Sequence, residues 1–291
     1  MKKQISFTGI GQRADIGDLA IYRMLPNRYA DAVGPFVFLD HITPKIYTLI
    51  NNGGKGAHPH RGIATLSYIM NGENEHFDSE GNYAKVHSGG IHWMKAGRGI
   101  VHDENMNYDT DTDNKLIHSF QFWINLPSVI KTEKPEYMAI QGDEVPQKIL
   151  PNHSGWLKVI VGNYEELYSK IPAYSEQFLF HIRLEAEKKF NVIIADKIEV
   201  AAFLPSHNVT INDAIFDAGE IIEFDRNEGG IEINNTSKVA FDILLFGGEA
   251  YTEPIVAQGP FVMNSKLEIA EAYRDFLAGK YGEIIYSQEK E

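Results

Sequence analysis

The sequence of 291 residues contains no cysteine, so disulfide bonds and thiolate metal ligands are both excluded. Basic residues are few relative to acidic ones, with 27 Lys and Arg against 40 Asp and Glu and a formal net charge of −13. Because no cluster of Lys and Arg is present, we expect no direct contact with nucleic acid. No apolar run approaches the length of a membrane span, and no apolar segment of a signal peptide follows Met1–Gln4. These absences predict a cytoplasmic protein that makes no membrane contact.

Short alternating runs of apolar and polar residues dominate the chain, separated by Gly, Asn, Asp and Pro. This spacing predicts an antiparallel sandwich or barrel rather than βαβ units. Strands are predicted over residues 64–70, 118–124 and 178–184. Turns are predicted at Asn71-Gly72, Asn212-Asp213, Gly229-Gly230 and Gly247-Gly248.

The stretch from Leu126 to Pro151 carries four prolines among charged residues, which predicts a connection between two β-rich halves. The halves are similar in size, as two copies of one architecture would be, although the pattern by itself does not establish a repeat. One helix is expected near the end of the chain. It should begin with a capping box of Ser265 and Glu268 and stop at Gly279. One apolar face of this helix should consist of Ile269, Tyr273, Phe276 and Leu277.

Two pairs of polar residues have the spacing of ligands on a strand. His58 and His60 flank Pro59, and His102 and Glu104 repeat the same i, i+2 spacing. Alternate side chains of a strand point to one side, so each pair can face a single ion. The turn residues Gly97 and Gly99 come just before His102, where a strand would start. We therefore predict that these four side chains bind one divalent transition metal ion inside a small antiparallel β-barrel.

Three imidazoles and one carboxylate would fill four positions of an octahedron and leave two for water, substrate or dioxygen. Structural zinc sites are usually closed by four ligands, so this set favours an open, reactive centre. A single His-x-His pair is weak evidence, because imidazoles often bond backbone carbonyls or lie at the surface. Structural or solvent roles are the better expectation for the remaining histidines, which are His41, His76, His87, His92, His118, His153, His181 and His207.

The arrangement of these residues resembles the two metal motifs of the cupin superfamily, and the wider pattern resembles the pirin family. In many cupins a Glu follows the second His by four or five residues, where this chain has Ala64 and Thr65. Glu104 would supply the carboxylate instead, as in pirins. The segments that carry the resemblance are 58–62, 93–102, 122–126, 247–249, 253–256 and 259–264.

The resemblance implies a bicupin, an all-β protein of two antiparallel cupin-type β-barrels with a short C-terminal helix. It implies an N-terminal metal-binding domain over residues 1–135 and a C-terminal cupin-like domain without metal ligands over 136–291. Pirins are described as iron-binding, so Fe(II) is the favoured ion, with Mn, Ni, Cu and Zn as alternatives. The same resemblance implies that His41 and His118 would not bind the metal ion themselves but would lie behind the residues that bind it. Many pirins carry a Glu where this chain has Ile63-Ala64. This difference hardly affects the inference that the chain has the pirin fold, but it weakens the inference that the chain has quercetinase activity.

Three functional hypotheses remain open at this stage. The first is a quercetin 2,3-dioxygenase-type enzyme that opens a flavonol or related phenolic with dioxygen, with Glu104 both as ligand and as acceptor of the substrate's hydroxyl proton. The second is a metal-binding regulatory protein without catalysis that binds a protein partner, such as a transcriptional co-regulator or a regulator of a metabolic enzyme. The third is a β-barrel scaffold without a functional metal site, in which the histidines are only the remains of an ancestral pattern. The sequence does not separate them, because all three share one set of residues.

Overall fold

The computed structural model of the chain describes residues 1–17, 19–48, 50 and 56–286. The chain divides into two compact units. Unit 1 comprises Met1–His41 and Val145–Tyr251, and unit 2 comprises Ile42–Glu144 and Thr252–Glu291. The division into domains 1–135 and 136–291 stays a prediction. The compact units differ from it because the segment before Ile42 belongs with the second half, and the segment after Tyr251 with the first.

The first half of the chain forms twelve of the described strands. In chain order they are β1 (Ile5–Ile10), β2 (Gln12–Arg13), β3 (Ile21–Leu25), β4 (Phe36–Ile46), β5 (His58–His60), β6 (Ile63–Asn71), β7 (Glu73–Asp78), β8 (Tyr83–His87), β9 (Ile91–Lys95), β10 (Ile100–Asn107), β11 (Leu116–Asn125) and β12 (Glu136–Ile140). The strands predicted over 64–70 and 118–124 are thereby confirmed as β6 and β11.

The second half of the chain continues the pattern and ends in a helix. Its elements are β13 (Gln147–Ile149), β14 (Gly155–Val161), β15 (Asn163–Tyr164), β16 (Leu167–Tyr168), β17 (Gln177–Leu184), β18 (Lys189–Ile194), β19 (Ile198–Phe203), β20 (Val209–Ile211), β21 (Ala214–Phe216), β22 (Glu220–Phe224), β23 (Gly229–Asn234), β24 (Phe241–Glu249), β25 (Val256–Gln258), β26 (Phe261–Met263) and α1 (Lys266–Leu277). Short 3-10 turns span Ile130–Thr132 and Pro151–His153. The strand predicted over 178–184 is confirmed as β17.

The proline-containing stretch is more than a connection. Between Leu126 and Pro151 the chain forms β12, which pairs antiparallel with β9, and β13, which pairs antiparallel with β14. These two strands were not predicted, but the boundary between the two units does fall within the stretch, between Glu144 and Val145, as expected for the predicted connection. The prolines that suggested it lie outside both strands, where they cost no hydrogen bond of the ladder.

Unit 1 is built from a seven-stranded antiparallel sheet, ordered β1-β22-β19-β24-β17-β14-β13, and a four-stranded sheet, ordered β18-β23-β20-β21. One apolar core contains side chains from both sheets, among them Leu157 and Ile243 of the first and Val192 and Ile231 of the second. Alternation of buried and exposed residues along β18 shows why its sequence folds this way. The turn predicted at Asn212-Asp213 is confirmed, since it joins β20 to β21.

Two of the predicted turns in unit 1 are wrong. Gly229-Gly230 begins β23, and Gly247-Gly248 lies within β24. The reason is close backbone approach: a Cβ on Gly247 would lie only 2.1 Å from the carbonyl oxygen of Glu199. Glycine is needed there to let two strands come together, which a sequence pattern does not distinguish from a turn.

Unit 2 contains the neighbouring strands β12, β9, β6 and β11, with β4 beside β11, and a four-stranded sheet ordered β5-β10-β7-β8. Asn71-Gly72 joins β6 to β7, which confirms the turn predicted there. The hairpin of β25 and β26 and the helix α1 also belong to this unit. Within the described residues, no helix is long and apolar enough to cross a membrane.

The helix α1 begins as the sequence predicts. The Ser265 hydroxyl accepts a hydrogen bond from the backbone N–H of Glu268 at 3.2 Å. Its buried residues, Ile269 and Ala272, pack in a cluster that includes Phe261 and Val101, so the helix covers the start of β10. The prediction that Leu277 shares this face was wrong, because its side chain is 82% exposed.

Candidate metal centre

The register of three antiparallel strands brings the predicted ligands to one face of the four-stranded sheet of unit 2. Strand β10 pairs with β5 so that His102 lies opposite His58. Along its other edge β10 pairs with β7, where Glu104 lies opposite His76. Directly paired residues point to the same side of a sheet. Histidines that are far apart in sequence therefore share one interior face.

Two glycines lie at the ends of strands that carry predicted ligands, one after β5 and one before β10. Gly62 follows His60 with φ of +82°, and a Cβ there would lie 2.0 Å from the carbonyl oxygen of Val262. Gly99 precedes β10 with φ of +126°, and a Cβ there would lie 2.1 Å from the ring of Tyr281. The predicted Gly-rich turn before His102 is thus present. It also lets the C-terminal segment pack against the start of the ligand strand.

The imidazoles of His58 and His60 are held with a free nitrogen on the inner side. The Nδ1–H of His58 donates to the carbonyl of Gly56 at 2.7 Å, and that of His60 donates to the carbonyl of Pro260 at 3.1 Å. A carbonyl can only accept, so each Nε2 carries a lone pair. Histidines that bind metal ions are usually oriented in this way, by a hydrogen bond from the ring nitrogen that does not bind the metal.

The spacing of these nitrogens fits a metal ion. Nε2 of His102 lies 3.1 Å from Nε2 of His58, and the His60 ring lies 4.9 Å from both other rings between centroids. Two nitrogens bound at about 2.1 Å and at right angles to one ion would be about 3 Å apart. Nε2 of His60 is buried without a hydrogen-bond partner. Such an atom costs about 1–3 kcal/mol unless something binds it.

The electrostatic environment keeps the rings of His60 and His102 in the neutral form that metals bind. Burial, followed by the neighbouring His58, lowers the pKa of His60 to about 3. Burial and then the surrounding imidazoles hold the pKa of His102 well below its ordinary value. Both rings are therefore uncharged at neutral pH, with lone pairs available for coordination.

Glu104 is held in a different way from the three histidines. Its carboxylate accepts hydrogen bonds from Ser67 Oγ at 2.8 Å and from Asn74 Nδ2 at 3.1 Å. The structure brings His58, His60 and His102 into one group whose ligand atoms lie within 4.8 Å of one another. Glu104 belongs to a second such group, together with His102 and His76. The two groups share His102.

His76 is a residue that sequence reasoning passed over. It is fully buried in β7, its Nε2 lies 3.2 Å from Asp78 Oδ2, and its ring stacks on Tyr137 at 4.1 Å. Its Nδ1 is buried without a hydrogen-bond partner. A usable signal was present, because His76 and Asp78 have the same i, i+2 spacing as the predicted ligand pairs.

Three other histidines, His92, His118 and His41, have different surroundings. Nδ1 of His92 accepts from the hydroxyl of Tyr137 at 2.7 Å, and its Nε2 donates to the carbonyl of Asn74 at 2.9 Å. Burial lowers the pKa of His92 to about 4, so this ring is a neutral structural link. His118 packs against Phe120, and His41 in unit 1 packs against Phe203. Their supporting role stays a prediction.

A third group with ligand-like spacing lies in unit 2 and consists of Glu73, His87 and Asp109. Its carboxylates already have partners: Glu73 accepts from Lys85 at 2.8 Å, and Asp109 lies 3.1 Å from Nδ1 of His87. These contacts form a closed ion-pair network. In the described part of unit 1, by contrast, no such group was found. Its four-stranded sheet instead contributes apolar side chains such as Val192 and Ile231 to the core.

A β-rich unit with buried histidines on adjacent strands, accompanied by a second β-rich unit with an apolar interior, defines a metal-binding type of bicupin. Comparison with known proteins agrees. Residues 19–124 match the family model of pirin, and residues 179–282 match that of the pirin C-terminal cupin domain. The chain belongs to the pirin family.

Individual relatives support this assignment along nearly the whole chain. A Pseudomonas aeruginosa protein, provisionally named a quercetin 2,3-dioxygenase, is 30% identical over 284 residues, or 97% of this chain and 99% of its own. Pirin of Rattus norvegicus is 32% identical over 237 residues, or 79% of this chain and 78% of its own. A crystal structure of quercetin 2,3-dioxygenase from Acinetobacter baumannii has a TM-score of 0.88 and 28% identity, covering 98% of this chain and 100% of that one. The predicted family and the all-β bicupin fold with a C-terminal helix are thereby confirmed.

Proposed function

We propose that this pirin is a metal-dependent dioxygenase of the quercetin 2,3-dioxygenase type, which opens a flavonol or a related phenolic with dioxygen. The observation that carries the proposal is the convergence of the imidazoles of His58, His60 and His102, the last two of them buried, beside the carboxylate of Glu104. Relatives named for this activity cover nearly the full chain, which supports the same reading. Fe(II) is the ion we propose, because a redox metal with open positions suits reactions with dioxygen.

In this proposal His58, His60, His102 and Glu104 are the ligands of one ion. The fit rests on the 3.1 Å separation of the two Nε2 atoms and on the unpartnered Nε2 of His60. When bound, the metal would act as a Lewis acid for the substrate oxygen and as an electron relay to dioxygen. The carbonyls of Gly56 and Pro260 would keep the imidazoles oriented throughout.

The remaining chemistry would come from the chain itself. Glu104 would accept the hydroxyl proton of the phenolic at a carboxylate oxygen, and Ser67 and Asn74 would hold that carboxylate in place through the hydrogen bonds they already donate. The indole of Trp123 meets the His60 ring edge-on at 5.0 Å between centroids. It would provide an apolar wall that limits access of water to the ligands.

The test is oxygen uptake and flavonol consumption by protein reconstituted anaerobically with Fe(II), beside its metal content. We expect one iron per chain, and both atoms of labelled dioxygen in the product. His60→Ala should bind iron more weakly and lose turnover, and Glu104→Gln should lose turnover. Glu75→Gln is the matched control, since Glu75 lies on β7 one position before His76 and its carboxylate accepts from Tyr83 and Asn105.

Iron-loaded protein that consumes no flavonol would refute the proposed activity while leaving the metal centre standing. Protein that binds no metal after reconstitution would refute both. Equal loss of turnover in Glu75→Gln and Glu104→Gln would refute the specific role of Glu104.

A further inference from the structure

Histidines in this interior differ in how their two nitrogens are used. In His58 and His60 one nitrogen is fixed by a backbone carbonyl, and the other is left for an ion. His76 has the same pattern: Asp78 is the partner of Nε2, and Nδ1 has none. His92 does not, because Tyr137 and Asn74 engage both of its nitrogens. By this criterion His76 resembles a ligand and His92 does not.

The partner of His76 is itself held firmly. Asp78 Oδ1 accepts from the backbone N–H groups of Glu80 at 3.0 Å and Asn82 at 2.9 Å, and Oδ2 accepts from the Asn82 side chain at 2.8 Å. A carboxylate fixed in this way orients the imidazole that bonds to it. Carboxylate–histidine pairs of this kind commonly stand behind metal ligands.

His76 lies close to two other side chains that could bind a metal ion. The ligand atoms of His76, His102 and Glu104 lie within 4.8 Å of one another, and Glu104 is paired with His76 across the strands. The His76 side chain is fully buried, so bulk water cannot satisfy its Nδ1. A buried nitrogen without a partner costs about 1–3 kcal/mol, which binding of an ion would remove.

We propose that His76, His102 and Glu104 form a second ion position in this interior, beside the position of His58 and His60 and sharing His102 and Glu104 with it. The second position has two imidazoles and one carboxylate, the ligand set typical of non-haem Fe(II) oxygenases, whereas the first position has a third imidazole, and imidazole also suits Zn, Cu and Ni. The ion therefore occupies one position or the other, and its ligand preference decides which. This inference rests on the metal-binding part of the proposed function and extends it with a ligand, His76, and an outer partner, Asp78.

The test removes the first position and asks whether an ion still binds. His58→Ala/His60→Ala protein is dialysed anaerobically against Fe(II), and bound iron is measured by elemental analysis as a function of free Fe(II). We expect one iron per chain. Adding His76→Phe should lower the affinity by more than about 100-fold, beyond the 10- to 100-fold typical of losing an outer partner. Adding His92→Phe, a matched change of a buried ring, should leave the affinity within about threefold.

A milder variant guards against misfolding of the triple variants. In the same background Asp78→Asn should weaken iron binding by about 10- to 100-fold, while circular dichroism shows the native β-sheet signal. The proposal is overturned if the double variant binds no iron, if binding survives His76→Phe, or if His92→Phe weakens it as much. Flavonol turnover by the wild type is measured separately, so loss of the second position and failure of the enzymatic proposal give different results.

Discussion

Replacing Gly99 with alanine tests how the C-terminal segment fixes the strand that carries His102. The new Cβ would lie 2.1 Å from Cε1 and 2.4 Å from Cδ1 of the Tyr281 ring, and φ at this position is +126°. Overpacking of this kind costs about 1–3 kcal/mol. A non-glycine residue in such a backbone conformation costs about 1–3 kcal/mol more. We therefore expect Gly99→Ala to lower the free energy of unfolding by about 2–6 kcal/mol.

A second glycine separates the two contributions. Gly81 has φ of +88°, but a Cβ there would meet nothing within 4 Å. Gly81→Ala should therefore show only the backbone cost of about 1–3 kcal/mol. Tyr281→Leu, combined with Gly99→Ala, should recover the steric part, because the shorter side chain vacates the place of the ring.

The measurement is urea unfolding of the single and double variants, followed by circular dichroism, with the slope of each transition compared first. Non-additivity of Gly99→Ala and Tyr281→Leu by about 1–3 kcal/mol is expected. The reasoning is refuted if Gly99→Ala costs no more than Gly81→Ala, or if the two changes at 99 and 281 are additive.

Three further predictions follow from the same structure. Burial lowers the pKa of Lys131 to about 8 in the folded protein, whereas the pKa of a lysine in the unfolded chain is near 10.4. Between about pH 8 and 10 the unfolded chain therefore binds more protons than the folded one, so the free energy of unfolding should rise with pH. Relative to Lys131→Met, the rise for the wild type should be roughly 3 kcal/mol. Parallel pH curves for the two proteins would contradict this. Fe(II) at about 100 times its dissociation constant for the wild type should stabilise the wild type by about 2.7 kcal/mol in thermal unfolding and His60→Ala by clearly less, and equal stabilisation would argue against the site. Ile269→Ala should cost about 2–5 kcal/mol and the exposed Leu277→Ala less than about 0.5 kcal/mol, and equal costs would show that α1 packs differently.

Much of the candidate site could be predicted because its signals are local. The i, i+2 spacing of His58 with His60 and of His102 with Glu104 reflects the alternation of side chains along a strand, which depends only on the nearest residues. The capping box of α1 is local in the same sense, since Ser265 and Glu268 bond within one turn. The site residues themselves stay predictions, and the structure supplies the surroundings in which they can be tested.

Features that the sequence did not reveal depend on contacts between distant residues. The carbonyl that orients His60 comes from Pro260, 200 positions away. The glycines at 247 and 248 looked like a turn, yet they lie within a strand because the backbone of Glu199 passes close by. Sequence patterns indicate which residues can form a turn, but they do not indicate which other strand will lie beside them.

The sequence by itself determined the class of fold, the family and the spacing of the predicted ligand pairs, because periodicity, caps and motifs are encoded within a few residues of one another. Only the tertiary structure decided that Glu104 lies beside His76 and that Asp78 stands behind that ring. Strand register sets these neighbours, and a shift of one residue would turn every side chain of the strand to the other face. Register is fixed by packing over the whole unit, so no local stretch of sequence contains it.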